Sequence, residues 1–140
     1  MVNMLRKLAP RFLLSWYHYA ISFLGALFFR FPSRNLIVIG VTGTNGKSTT
    51  VDMITRILKE AGLKTASLSS IRFTIGEKEQ RNALKMTMPG RFFIKSFLRK
   101  AVGAKCTHAV VEVTSEGILQ HRHRFINFHT AVFTNLTPEH

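Results

Sequence analysis

Apolar positions recur along this chain with different periods, and each period predicts an element. "LIVIGV" (36–41) is a continuous apolar run, the pattern of a strand buried on both faces of a parallel sheet. Residues 47–61 then place Val51, Ile54, Ile57, Leu58 and Ala61 on one helical stripe that ends at Gly62. "KTASLSS" (64–70) predicts a second strand, and "IRFTIGEKEQ" (71–80) alternates and turns at Gly76, as a hairpin or edge excursion does. Residues 91–102 carry Phe92, Phe93, Phe97, Leu98 and Val102 at helical spacing. "HAVVEV" (108–113) predicts another buried strand and "HTAVFTNL" (129–136) a further one. Strands alternating with helices through short connections predict an α/β fold around a parallel sheet.

The first 35 residues break this pattern. Between Arg11 and Arg30 lie 18 residues without a formal charge, among them Trp16, Tyr17 and Tyr19. As a helix they would extend about 27 Å, slightly short of a hydrocarbon core. Ser15, His18 and Ser22 dilute the run, and arginines at both ends set no orientation. Three readings stay open: a helix at a membrane surface through residues 12–29, a helix packed on the protein, and a span. The basic start would suit a signal peptide, but no small-residue cleavage site follows. "FPSRN" (31–35) reads as a linker, which divides the chain into residues 1–35 and 36–140.

Composition narrows the class. With 46% hydrophobic and 19% charged residues the chain is not disordered, and 140 residues suffice for one domain with a real core. Twenty Lys and Arg against seven Asp and Glu give a formal charge of +13, which attracts nucleotide phosphates, nucleic acid or anionic lipid. The single cysteine, Cys106, excludes an intramolecular disulfide, fits a reducing cytoplasm and reads as buried filler.

"GVTGTNGKSTTVDMITRIL" (40–58) carries the first chemistry. Strand, glycine-rich turn, Lys-Ser and helix form the architecture of a phosphate-binding loop. Gly43 and Gly46 let backbone N–H groups turn inward around a polyphosphate, and the helix N-terminus adds unsatisfied donors. Lys47 is placed to reach the β- and γ-phosphates and Ser48 to offer its hydroxyl to Mg²⁺. The strict G-x-x-x-x-G-K-[ST] pattern requires glycine at position 41, where this chain has Val41. "AVVEVTSEG" (109–117) supplies two carboxylates for the metal side: Glu112, embedded among valines, and Glu116 in the following loop.

Four phrases, "GVTGTNGKSTT", "MTMPG", "VVEVTSEGILQHR" and "AVFTNLTPEH", occur in the order in which the Mur ligase central domain carries them. Residues 36–140 resemble that domain, most of all in the ligases that add the third amino acid to UDP-N-acetylmuramoyl-dipeptide. The resemblance implies a P-loop parallel sheet and ATP-dependent amide formation through an acyl phosphate, in peptidoglycan-precursor synthesis. It implies that Thr44, Asn45, Gly46, Lys47, Ser48 and Thr49, beside Gly43, hold the ATP phosphates, with Lys47 acting on the γ-phosphate. Ser48, Glu112 and His140 would serve Mg²⁺, and Thr87, Thr114, Gln120 and Arg122 would contact the muramoyl-peptide. Arg122 suits that role because a guanidinium fork grips carboxylates. Two positions depart from the family: Glu116 stands where a histidine is usual, and Met88 where a threonine is. The family's downstream lysine and amino-acid-binding domain fall beyond His140, so this stretch is expected to hold half an active site, the ATP- and Mg-binding part, as a fragment or a truncated gene product. The expected location is the cytoplasm, and the inner face of the membrane if residues 12–29 form the membrane-surface helix.

Rival readings differ in testable ways. A ligase amidating lipid-linked precursor carries similar motifs. Folylpolyglutamate-type ligases have glycine after the lysine, against Ser48 here. Outside this chemistry stand a membrane-tethered, catalytically inert nucleotide binder and a nucleic-acid-binding P-loop ATPase. The latter needs aromatics interleaved with basic residues on one face, whereas most phenylalanines here lie in the N-terminal run or on apolar stripes, so no nucleic acid is expected. His121, His123 and His129 lack the thiolate or carboxylate partners of a metal cluster.

Overall fold

The computed structural model describes residues 11–84 and 86–138. Six strands form one sheet in the order β4-β3-β2-β5-β1-β6. β1 (Ile37–Thr42), β2 (Thr65–Leu68), β5 (His108–Glu112) and β6 (Phe128–Phe133) run parallel. β3 (Arg72–Ile75) and β4 (Lys78–Arg81) add an antiparallel hairpin at one edge, with its turn at Gly76. The helices are α1 (Arg11–Phe28), α2 (Lys47–Glu60), α3 (Arg91–Gly103) and the short α4 (Ser115–Leu119).

The central strands β1 and β5 are apolar on both faces, and a helix covers each face. Val41 and Val110 meet Val51 of α2 on one side. Val38, Leu68 and Val111 meet Ile94 and Leu98 of α3 on the other, and α1 lies against α3. β6, at the outer edge, stays largely exposed in its middle.

The inner faces of the helices differ from the stripes read in the sequence. On α2, Val51 and Thr55 are buried, Ile54 and Leu58 are partly so, and Ile57 is 66% exposed. On α3 the buried arc is Ile94, Lys95, Phe97, Leu98 and Ala101, with Phe92 and Phe93 on its shoulders. Those two rings cover the margins instead: Phe93 packs on Phe73 at 5.3 Å between centroids, and Phe92 on Phe29 at 6.3 Å. A repeat of 3.6 residues cannot carry 92, 93, 94, 97 and 98 inward at once, and the flanking rings find partners elsewhere.

α1 is two-sided. Ser22 and Ala26 are fully buried, while Leu13, Trp16, Leu24, Leu27 and Phe28 on the other side are at least half exposed. Among the described residues no helix is long and apolar enough to cross a membrane. Residues 32–35 form a 3₁₀ turn whose Pro32 and Ser33 are buried, and Ser33 Oγ accepts a hydrogen bond from Asn127 N at 3.0 Å.

Lys95 is the one fully buried lysine among the described residues. Burial, reinforced by the nearby Arg91 charge, pulls its ammonium down from 10.5 to about 8. The unfolded chain therefore binds the extra proton between those values, and the folded state gains relative stability as pH rises through that window. Urea unfolding of the wild type and Lys95→Met at pH 7 and pH 9.5 is expected to shift the stability difference toward the wild type by about 2 kcal/mol. A difference independent of pH would contradict this.

Candidate active site

All four parallel strands point their C-terminal ends to the same side, and the loops that leave them converge there, where open α/β sheets bind ligands. β1 ends at Thr42 and passes through residues 43–46 into α2. Val41 belongs to the strand and is fully buried against α2, so the turn begins only at Gly43 and position 41 has no need of glycine. Gly43 has φ +134° and Gly46 φ +78°, both in the region that side chains resist. A Cβ on Gly43 would collide with Thr134 Oγ1 and lie 2.9 Å from Asn135 O, whereas one on Gly46 would meet open space.

The turn is tied down from behind. Asn135 O accepts from Thr44 N at 3.0 Å, and Asn135 Oδ1 accepts from Asn45 N at 3.0 Å. Thr44 Oγ1 donates to Thr137 O at 3.2 Å, and Thr134 Oγ1 donates to Asn45 O at 2.7 Å. Lys47 Nζ crosses the turn to Gly43 O and Thr44 O, both at 2.8 Å, and Gly46 caps α2 without a side-chain acceptor. The first turn of α2 thus keeps donors for an anion, with Thr49 exposed on it.

Glu112 ends β5 opposite Val41 and is only 2% exposed. Its Oε2 accepts from Ser48 Oγ at 2.8 Å and from Ser70 N at 2.9 Å, and Ser48 and Ser70 share a 2.6 Å hydroxyl contact. The ion pairs among the described residues join Asp52 to Arg56 and Arg72, and Glu79 to Arg72, so no cation answers Glu112. A buried carboxylate without an ion-pair partner among the described residues, beside a hydroxyl, offers two hard oxygen donors and fits a hard divalent cation such as Mg²⁺. His140 lies outside the described residues.

Next to the turn opens a cavity of about 350 Å³. Lys47 and Gly43 form one wall, and Thr87, Thr114, Glu116 and Arg122 line the rest. Residues far apart in sequence thus meet at Lys47. Gln120 stands behind this wall: its Oε1 accepts from Arg122 Nε at 3.1 Å and NH2 at 2.7 Å, and its Nε2 donates to Glu116 Oε1 at 2.7 Å. Arg122 NH1 also donates to Met88 O. The two unusual residues therefore have visible roles. Met88 buries its side chain against Gly117 and offers its carbonyl, and Glu116 anchors Gln120. Thr114 Oγ1 caps α4 by accepting from Gly117 N at 3.0 Å.

Other candidates drop out. Cys106 is buried, and burial raises its thiol, so it is filler and not a nucleophile. The histidines are dispersed: His121 pairs with Ser15 Oγ at 2.7 Å, and His129 Nδ1 accepts from Val38 N at 3.2 Å. Burial, with the charge of Arg124, lowers His123, and among the described residues no three such side chains could hold a metal ion. The supporting residues Ser70, Thr134 and Asn135 escaped the sequence reading as individuals. Thr134 and Asn135 lie inside "AVFTNLTPEH", so the phrase was visible while its task was not.

Comparison with known proteins identifies the family. A family model described as the Mur ligase middle domain matches residues 41–140. The chain is 40% identical over 121 residues to the UDP-N-acetylmuramoyl-L-alanyl-D-glutamate--2,6-diaminopimelate ligase of Syntrophomonas wolfei, covering 86% of this chain and 24% of that protein. It is 35% identical over 123 residues to a UDP-N-acetylmuramyl-tripeptide synthetase of a Roseiflexus species, with the same coverages of 86% and 24%. A solved structure of a UDP-N-acetylmuramoyl-L-alanyl-D-glutamate--2,6-diaminopimelate ligase superposes with a TM-score of 0.68 at 26% identity, over 75% of this chain and 21% of that one. The chain thus spans about a quarter of the length of the relatives it matches.

The two glycines separate local strain from collision. Gly46→Ala is expected to cost about 1–2 kcal/mol, the left-handed backbone alone. Gly43→Ala is expected to cost more, because the new methyl also displaces residues 134–135. Urea unfolding of both variants checks the order; equal losses would refute the packing of the turn on that segment.

Proposed function

Because the chain belongs to the Mur ligase family through its middle domain, we propose that it is the ATP- and Mg²⁺-binding part of a ligase joining an amino acid to UDP-N-acetylmuramoyl-peptide. The observation that carries this reading is the meeting of Lys47 with Thr87, Thr114 and Arg122 around one cavity. ATP phosphates lie along Gly43–Thr49, held by backbone N–H groups and the α2 N-terminus. Lys47 leaves its carbonyl partners and offsets charge on the γ-phosphate. Arg122 grips a carboxylate of the acceptor peptide and orients it toward that phosphorus. A carboxylate oxygen attacks the γ-phosphorus and ADP leaves, which gives an acyl phosphate. The incoming amine attacks the acyl carbon, phosphate leaves, and an amide remains. Ser48 and Glu112, with His140 as the further ligand that the family resemblance implies, would hold Mg²⁺, which when bound would neutralise phosphate charge. In the full-length protein, sustained ADP release is expected only when both the muramoyl-peptide and an amino acid are present, the muramoyl-peptide alone giving at most a single turnover, and Lys47→Ala is expected to slow that release by on the order of 100-fold. ADP formed equally without the acceptor would overturn the reading.

We also propose that α1 rests on the inner face of the cytoplasmic membrane. Leu13, Trp16, Tyr17, Leu24, Leu27 and Phe28 are each at least 50% exposed, and residues 12–29 contain no formal charge in a chain of +13. Such an arc, with amphipathic Trp and Tyr and with Arg30 and Arg34 exposed beyond its end, suits a surface of apolar chains under anionic headgroups. Trp16 is the only tryptophan and reports directly. Phosphatidylglycerol vesicles are expected to shift its emission to the blue and to sediment the protein, and Leu24→Asp is expected to weaken both by roughly tenfold. Self-association without lipid, or no response to vesicles, would overturn the proposal.

A further inference from the structure

The loop that carries Arg122 is held from beneath by side chains to which the proposed chemistry gives no task. Lys95, in the middle of α3, is fully buried, and among the described residues no carboxylate pairs with it. Its Nζ donates to Arg124 O at 2.8 Å, to Ser22 Oγ of α1 at 3.1 Å and to Arg122 O at 3.3 Å. All three donors of the ammonium are thereby used. Ser22 Oγ reaches His121 O at 2.9 Å and Arg124 O at 3.3 Å. One turn earlier on α3, Arg91 donates from Nε and NH2 to Gln120 O at 3.1 and 2.9 Å, and it also contacts His18 of α1.

The carbonyls of residues 120, 121, 122 and 124 are therefore each claimed by α1 or α3. The loop needs such support, since His121 and Phe125 sit at φ +55° and +60°, a conformation that side chains disfavour. Burying a lysine without an anion is costly, and an apolar side chain of equal volume would fill the space at less cost. What the ammonium adds is three aimed donors. On the far side of the same backbone, Arg122 turns toward the cavity, steadied by Gln120 and Met88 O.

We propose that Lys95 is a positioning residue for the acceptor: through the Arg122 and Arg124 carbonyls it sets the backbone from which Arg122 reaches the cavity, and through Ser22 it makes α1 part of that site's framework. This rests on the reading of Arg122 as the group that grips the acceptor carboxylate.

The test compares Lys95→Met, which keeps the volume, with Lys95→Gln, which restores two N–H donors without the charge. Ser22→Ala serves as a probe from the α1 side. Three quantities are read in the full chain: affinity for UDP-N-acetylmuramoyl-dipeptide, affinity for ATP, and amide hydrogen exchange of residues 120–126. Lys95→Met is expected to weaken acceptor binding roughly tenfold and to speed exchange in the loop, with ATP affinity unchanged within about twofold. Lys95→Gln is expected to recover most of the loss, and Ser22→Ala to show the same selective loss at smaller amplitude. Equal acceptor affinity in the wild type and Lys95→Met overturns the proposal, as does an equal loss of ATP and acceptor, which would mark a general packing role. If the wild type itself does not bind the acceptor, the reading of Arg122 falls; loop exchange then decides for Lys95 alone, and unchanged exchange in Lys95→Met rejects it.

Discussion

Everything at the site depends on the parallel pairing of β1 with β5, which sets Val41 opposite Glu112. That register places the glycine turn after β1 beside the carboxylate that ends β5, and it lets Ser48, on the first turn of α2, reach Glu112 at 2.8 Å. A slip of one residue would turn Glu112 to the opposite face, toward α3, and separate the two oxygens. The apolar residues on both faces of these strands prevent such a slip, because Val110 and Val111 must point to opposite helices. Core packing and site geometry are thus the same constraint viewed from two sides.

The glycine turn is held in place for a related reason. It is backed by residues 134–137 just after β6, itself paired with β1, so three consecutive pieces of one sheet edge share the work. With the backbone held in this way, Lys47 can rest on the carbonyls of Gly43 and Thr44 without collapsing the turn. The Arg122 side of the cavity follows another plan. There a loop with two left-handed residues is pinned by buried side chains of α1 and α3 instead of by a strand ladder. α1 consequently has two distinct faces, one carrying hydroxyls toward that loop and one wholly apolar toward the outside.

Most of the architecture was legible along the chain. The strands around Ile39 and Val110 show as apolar runs, those around Ser67 and Ala131 as shorter stretches mixed with Ser and Thr, and the hairpin as alternation with a turn at Gly76. α1, α2 and α3 lie where the sequence suggests helices, the short α4 lies where it suggests a loop, and the inner faces of α2 and α3 differ from the predicted stripes. Ile57, Phe92 and Phe93 looked like core, and they lie outside it or on its margin, while Lys95 occupies a core position that no hydrophobicity pattern would assign to a lysine. Periodicity reports which residues could share a face; it carries no information about how wide a face the neighbouring layer covers.

From the sequence alone come the glycine turn with its lysine, the carboxylate embedded among valines and the unusual apolar N-terminus, because each is a local composition with a local physical cause. Gly43, Gly46, Lys47 and Ser48 act within six residues, so their spacing reveals them. The tertiary structure decided which distant residues join them. Thr87, Thr114 and Arg122 meet at Lys47 only because the loops that carry them open beside one end of the parallel strands. Gln120 and Arg122 are two positions apart, yet one supports and the other lines the cavity. That division follows from which way a pinned backbone turns each side chain, a property of packing across about a hundred residues of intervening chain between Ser22 and Arg122.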